Sequence, residues 1–90
     1  MSKQKQKSPN QIRIIRKLYN LNRKMLARLL GHKSTSQICL WENGKKEPSL
    51  RNAIKLQLIL NVRIDQLFKP LAWELEANLK PRINKYKNRD

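Results

Sequence analysis

The sequence predicts an all-α fold, and three observations carry that prediction. Apolar residues recur three and four apart in each periodic stretch, as one face of a helix requires. Helix-capping residues stand before these stretches, and Asn or Gly stands after most of them. No segment shows the strict apolar–polar alternation of a half-buried strand. At 90 residues the chain is one small domain with a modest core, so each apolar position counts.

Residues 1–8, "MSKQKQKS", offer nothing to bury after Met1 and are expected to form a disordered basic arm. Ser8 can cap a first helix, with Pro9 at its first position and Gln11 three beyond the cap as a capping box. Ile12, Ile15 and Tyr19 share a face of that helix, with Leu18 beside them, and Asn20 ends it. Asn22 caps the second helix, expected over about 23–30. Leu21 and Leu26 flank the cap as a hydrophobic staple. Met25, Leu26, Leu29 and Leu30 make its apolar stripe, and Gly31 stops it in the left-handed conformation.

Ser34 and Gln37 form a second capping box. The third helix runs about 35–42 with Ile38 and Trp41 inward, and Asn43-Gly44 breaks it. After a basic turn, Ser49 caps a fourth helix over about 50–60, where Leu50, Ala53, Ile54, Leu56, Leu58 and Ile59 are expected to be mostly buried. A short fifth helix follows at about 64–68. Leu71, Leu75 and Leu79, four apart, then make an amphipathic helix over 69–80, with Trp73 off the stripe. Pro81 is expected to close it, leaving residues 81–90 as a loose basic tail.

The charge narrows the function. There are 21 Lys and Arg against 6 Asp and Glu, a net charge of +15. The excess is +3 in residues 1–10, +9 in residues 11–68 and +3 in residues 69–90, so the folded part is itself basic. A polyanionic partner is implied, since solubility alone needs only a few net charges. Lone Cys39 excludes an intrachain disulfide, and Cys39 with His32 falls short of the four ligands of a structural zinc site. The chain reads as a reduced cytoplasmic protein without metal or cofactor. No apolar run approaches the roughly 20 residues of a membrane span, and no signal-peptide core follows the basic N-terminus. No Ser/His/Asp set, carboxylate pair or Gly-rich phosphate loop is present, so no enzyme is expected.

The second and third helices are short, separately capped and joined by about four residues. That is the helix-turn-helix layout, whose second helix enters a DNA major groove by its N-terminal end. Thr35, Ser36 and Gln37 are small or amide-bearing and can approach base edges there. From spacing alone, an ordinary small helical bundle with ordinary caps also fits.

The run "LNRKMLARLLG…STSQICLWENGKKEPSL…ILNVRIDQLF" resembles the Cro/repressor (XRE-type) helix-turn-helix domains over about residues 11–68. The shared points include Leu26-Ala27, Leu30-Gly31, Trp41-Glu42-Asn43-Gly44, Pro48-Ser49-Leu50 and Asp65-x-Leu67-Phe68. The resemblance implies a five-helix, lambda-repressor-like DNA-binding domain, here with an extra C-terminal helix and basic tails. It makes the third helix the recognition helix, with Thr35, Ser36 and Leu40 at base-reading positions. The turn between Gly31 and Ile38 is one residue longer than the common pattern, so Gln37 joins them as a candidate. Arg23, where relatives usually carry Gln, matches a phosphate contact that also braces the recognition helix. Asn43, Gly44, Lys45 and Lys46 match a loop whose backbone N–H groups grip the sugar-phosphate chain. Lys33 and His32, in the turn, are further phosphate candidates. Arg16 and Glu42 match a partly buried ion pair. Family members usually bind as two-fold dimers on half-sites about 34 Å apart. Leu71, Leu75 and Leu79 are the candidate interface.

The expected function is a sequence-specific, double-stranded-DNA-binding transcription regulator, of the small repressor or activator kind found in bacteria and phage, acting at the nucleoid. A protein-interaction module on the same fold, such as an antitoxin or adaptor using Leu40 and Trp73, is the alternative. A charge-driven, non-specific nucleic-acid binder is a third reading. It needs exposed aromatics for RNA, and the chain has only five.

Overall fold

The computed structural model describes residues 9–87. They form six helices: α1 (Ile12–Leu18), α2 (Arg23–Leu30), α3 (Ser36–Glu42), α4 (Leu50–Leu60), α5 (Ile64–Leu67) and α6 (Lys69–Lys87). The described residues contain no strand. The basic arm expected at residues 1–8 lies outside them, as do residues 88–90.

Caps set the starts of α2 and α4. The Asn22 side chain accepts the Met25 N–H at 2.8 Å, and Ser49 Oγ accepts the Asn52 N–H at 3.2 Å. Gly31, at φ +84°, ends α2 in the left-handed region that a Cβ disfavours. Asn20 and Asn61 take the same region after α1 and α4, at φ +57° and +53°.

Two starts differ from expectation. The expected Ser8 cap falls outside the described residues, and α1 begins at Ile12 rather than at Pro9. Asn10 is the cause. Its Oδ1 accepts the Ile12 N–H at 3.0 Å, a local side-chain turn that competes with helix. The Gln11 N–H donates to the Leu67 carbonyl at 2.8 Å, which ties the entry of α1 to α5. The Ser34–Gln37 capping box is also absent. Ser34 Oγ instead accepts the Ser36 N–H at 3.4 Å, so Thr35 is the N-cap and α3 starts at Ser36.

The fully buried side chains are Ile12, Leu26, Leu30, Ile38, Trp41, Leu56, Leu60 and Leu67. α1 packs on α3, α2 on α4, and α4 on α5. Several expected core residues lie outside this centre. On α1, Leu18 is exposed and Tyr19 is half exposed. Met25 and Leu29, four apart, sit on the edge of α2 beside its buried face of Leu26, Ala27 and Leu30. On α4, Ala53, Leu56 and Leu60 face the core, while Leu50, Ile54 and Leu58 point the other way. A helix apolar on both faces reads as buried all round, but a two-layer domain covers only one face.

α6 departs furthest from expectation. It does not stop at Pro81 but runs on to Lys87, so residues 81–87 are helix rather than loose tail. A proline costs one backbone bond and crowds the preceding turn. Here that turn is exposed, and the freed Ala77 carbonyl can bond to water. None of the 19 residues of α6 is buried; Leu71 alone packs partly against the core, and Leu75 and Leu79 are exposed.

Candidate nucleic-acid interface

The site is organised around one carboxylate. Glu42 ends α3 with its side chain 1% exposed, at the helix end where the dipole disfavours an acid. Two arginines compensate. Arg16 of α1, side chain 7% exposed, donates from Nε to Glu42 Oε2 at 2.8 Å and from Nη2 to Oε1 at 3.5 Å. Its Nη1 donates to the Leu21 carbonyl at 2.9 Å. Arg23, the first residue of α2, donates to Glu42 Oε1 from Nε at 3.0 Å and from Nη2 at 2.9 Å. That hydrogen bond, and secondarily the nearby carboxylate charge, hold the Arg23 pKa above its ordinary value against the opposing effect of burial. One buried carboxylate thus joins the first three helices.

Arg23 keeps 38% of its side chain exposed. It opens into a cleft of about 520 Å³ lined by Arg13, Arg16, Lys17, Asn22, Lys24 and Thr35 as well. Five cations surround this cleft and one carboxylate lies beneath it, so its field favours an anion. Arg13, Lys17 and Lys24 were not singled out by the sequence. The available signal was Arg13 and Lys17 four apart on the first helix, which places them on one face. A second cleft, about 330 Å³, lies along the α2–α3 turn and brings Lys33 together with Lys24, Arg28 and Thr35.

α3 buries Ile38, Trp41 and Glu42. Ser36, Leu40 and Asn43, at spacings of four and three, fall on the opposite side. Ser36 and Asn43 are exposed; Thr35, Gln37, Cys39 and Leu40 are half-buried. Asn10 fastens the far end of α3, since its Nδ2 donates to the Trp41 carbonyl at 2.7 Å. This buried contact had no sequence signal, because residues 10 and 41 are remote in the chain.

The backbone N–H groups of the following turn are paired within the chain. The Asn43 N–H donates to Cys39 O at 3.1 Å and the Gly44 N–H to Trp41 O at 3.0 Å. Lys45 and Lys46 both donate to Leu40 O, at 2.9 and 3.3 Å. What the turn offers is the exposed side chains of Asn43, Lys45 and Lys46. Gly44 is structural: it sits at φ +71°, and a Cβ there would lie 2.9 Å from Pro9 Cβ. His32 is also turned inward. Its ring stands edge-on to Trp41 at 5.7 Å, and its Nε2 lies 3.3 Å from Asn52 Oδ1.

A family model described as helix-turn-helix matches residues 12–67. The chain belongs to the XRE-type helix-turn-helix family. The helix-turn-helix domains of this family bind DNA, and the match runs from α1 through α5. No curated protein matches the chain. No helix among the described residues is long and apolar enough to cross a membrane, and no three His, Cys, Asp or Glu among them group as metal ligands.

Proposed function

We propose that this helix-turn-helix protein is a sequence-specific, double-stranded-DNA-binding transcription regulator that acts as a dimer on an inverted repeat. The observation that carries the proposal is the placement of charge around α3. The Arg13/Lys17/Lys24 cleft borders α3 at Thr35, and Lys45 and Lys46 stand exposed in the turn that follows α3. A major groove about 12 Å wide has a phosphate chain on either side, so a reading helix needs cations at both ends. In this reading Ser36 and Gln37 hydrogen-bond base edges, Thr35 lies at the groove wall, and Leu40 packs on a thymine methyl. Arg23, Lys33, Asn43, Lys45 and Lys46 contact phosphate, with Arg13, Lys17 and Lys24 added.

Residues 9–68 are the DNA-binding unit in this proposal, and the lysines of residues 1–8 add non-specific affinity. The chain works as a cytoplasmic, nucleoid-associated regulator, and residues 69–80 carry the dimer contact. Enrichment of bound sequences from a random duplex pool tests the reading. An inverted repeat with one fixed half-site spacing is expected. Tight binding without enrichment would leave only the charge-driven reading.

A further inference from the structure

The last turn of α3 is tied to α1 and α2 through Glu42, and Asn10 holds the Trp41 carbonyl. The chain that leads into α3 has few bonds of its own. The Gly31 and His32 N–H groups donate back to the Arg28 and Ala27 carbonyls, at 3.0 and 2.8 Å, and close α2. The next N–H groups, of Lys33, Ser34 and Thr35, find no protein acceptor among the described residues. Ser36 is tied only to its neighbour Ser34. Such a segment does not by itself fix where a seven-residue helix stands.

α4 supplies the missing contacts. Asn52 and Lys55, three apart, lie on one side of α4 and are half-buried. Lys55 Nζ donates to the Leu30 carbonyl at 2.9 Å. That carbonyl ends α2, at the negative pole of the helix, and receives no backbone N–H among the described residues. The bond is charge-assisted and stronger than a neutral one. With its proton on Nε2, His32 donates to Asn52 Oδ1 at 3.3 Å. Its other nitrogen, Nδ1, is buried without a partner among the described residues, so Asn52 orients the ring. The ring stands edge-on to Trp41 with 5.7 Å between centres, and Trp41 is the largest fully buried side chain. α4 thus holds the end of α2 through Lys55, and the aromatic anchor of α3 through Asn52 and His32.

We infer that Asn52 and Lys55 are positioning residues for base reading. They touch neither base nor phosphate, and they fix where Thr35, Ser36 and Gln37 stand relative to α2. The consequence for DNA rests on the proposed function; the positioning itself does not. The Lys55 charge is used inside the chain, whereas Lys45 and Lys46 are exposed. Its loss therefore lowers discrimination between sequences and spares the salt-dependent affinity common to all of them.

Three variants of the full chain test this. Lys55→Met keeps the aliphatic stem and removes the donor. Asn52→Ala keeps the N–H that Ser49 caps and removes the amide. Lys55→Arg keeps a donor. Amide hydrogen exchange without DNA reads the geometry. In the first two variants the Gly31 and His32 N–H groups are expected to exchange about tenfold faster, while those of Gln11 and Phe68, bonded on the α5 side, keep the parent rates. Lys55→Arg is expected to keep the parent rates throughout. Unchanged Gly31 and His32 rates overturn the inference. So does an equal acceleration of all four amides, which would make these residues general stabilisers. Affinities for the preferred duplex and for a single mismatch read the consequence. Lys55→Met and Asn52→Ala are expected to lose about tenfold in the ratio of the two, at the parent's salt slope. An unchanged ratio overturns the inference, as does a slope reduced by about one unit in Lys55→Met, which would set its charge on a phosphate. A parent without preference among duplexes sinks the proposed function alone, and the exchange rates then decide the positioning.

Discussion

Replacing Glu42 with Ala tests the architecture of the site most directly. The substitution removes a carboxylate that accepts four N–H hydrogen bonds and leaves two guanidinium groups facing each other. The two halves of the cluster differ in weight. Arg16 is 7% exposed and cannot rehydrate in place, so breaking its pair falls in the range of about 3–5 kcal/mol for a buried ion pair. Arg23 is 38% exposed and can turn to solvent, so its share is below about 1 kcal/mol. The expected loss for Glu42→Ala is therefore about 3–5 kcal/mol. A domain of this size holds about 5–10 kcal/mol in all, and each kcal/mol moves Tm by about 4–8 °C. Urea and thermal unfolding followed by circular dichroism measure it. Arg16→Ala should cost nearly as much as Glu42→Ala, and Arg23→Ala under about 1 kcal/mol. The reasoning fails if Glu42→Ala costs less than about 1 kcal/mol, or if the two arginine variants are equally damaging.

Three further predictions concern the parts attached to this cluster. Asn10→Ala deletes two hydrogen bonds, one of them the second bond to the buried Trp41 carbonyl, so a loss of about 1–3 kcal/mol is expected in the same unfolding assay. Gly44→Ala sets a Cβ against Pro9 at a positive φ and should cost at least about 1 kcal/mol; a stabilised variant would mean the turn sits elsewhere. Lys45→Ala and Lys46→Ala should each weaken binding to all duplexes alike and flatten the salt dependence by about one unit of slope. A change in base preference from either variant would assign these lysines to the reading face instead.

The sequence made the helices legible where a local signal decides them. The Asn22 and Ser49 caps and the Gly31 stop act within a few residues, and α2 and α4 begin and end where those residues place them. Legibility failed where a remote partner competes. Nothing near Asn10 indicates that its amide reaches Trp41, and the same side chain's bond to the Ile12 N–H delays α1. Ser34 presents the same letters as a working cap, but its hydroxyl turns to Ser36. Burial was misread wherever a helix is apolar on two faces, since periodicity states that a face exists and not what covers it. Leu50, Ile54 and Leu58 are the result. At the candidate interface, Thr35, Ser36 and Leu40 came from resemblance, whereas the Arg13/Lys17/Lys24 cleft needed the packing of α1 beside α2.

The way α3 is held bears on how it would read DNA. It has only seven residues and could not persist alone. Its last turn is fixed by Glu42 to two helices and by the Trp41 carbonyl to Asn10. The turn beyond closes back on Leu40 through the N–H groups of Lys45 and Lys46. Little freedom remains for the reading face to lose on binding, which lowers the entropic cost of docking. The same closure pairs the turn's backbone donors within the chain, so on the proposed function phosphate contact falls to the exposed lysine side chains. Such contacts are charge-driven and tolerant of position. On the proposed function, affinity falls steeply with salt while the sequence preference assigned to Ser36, Gln37 and Leu40 stays constant. The two properties arise on separate residues and are separable by mutation.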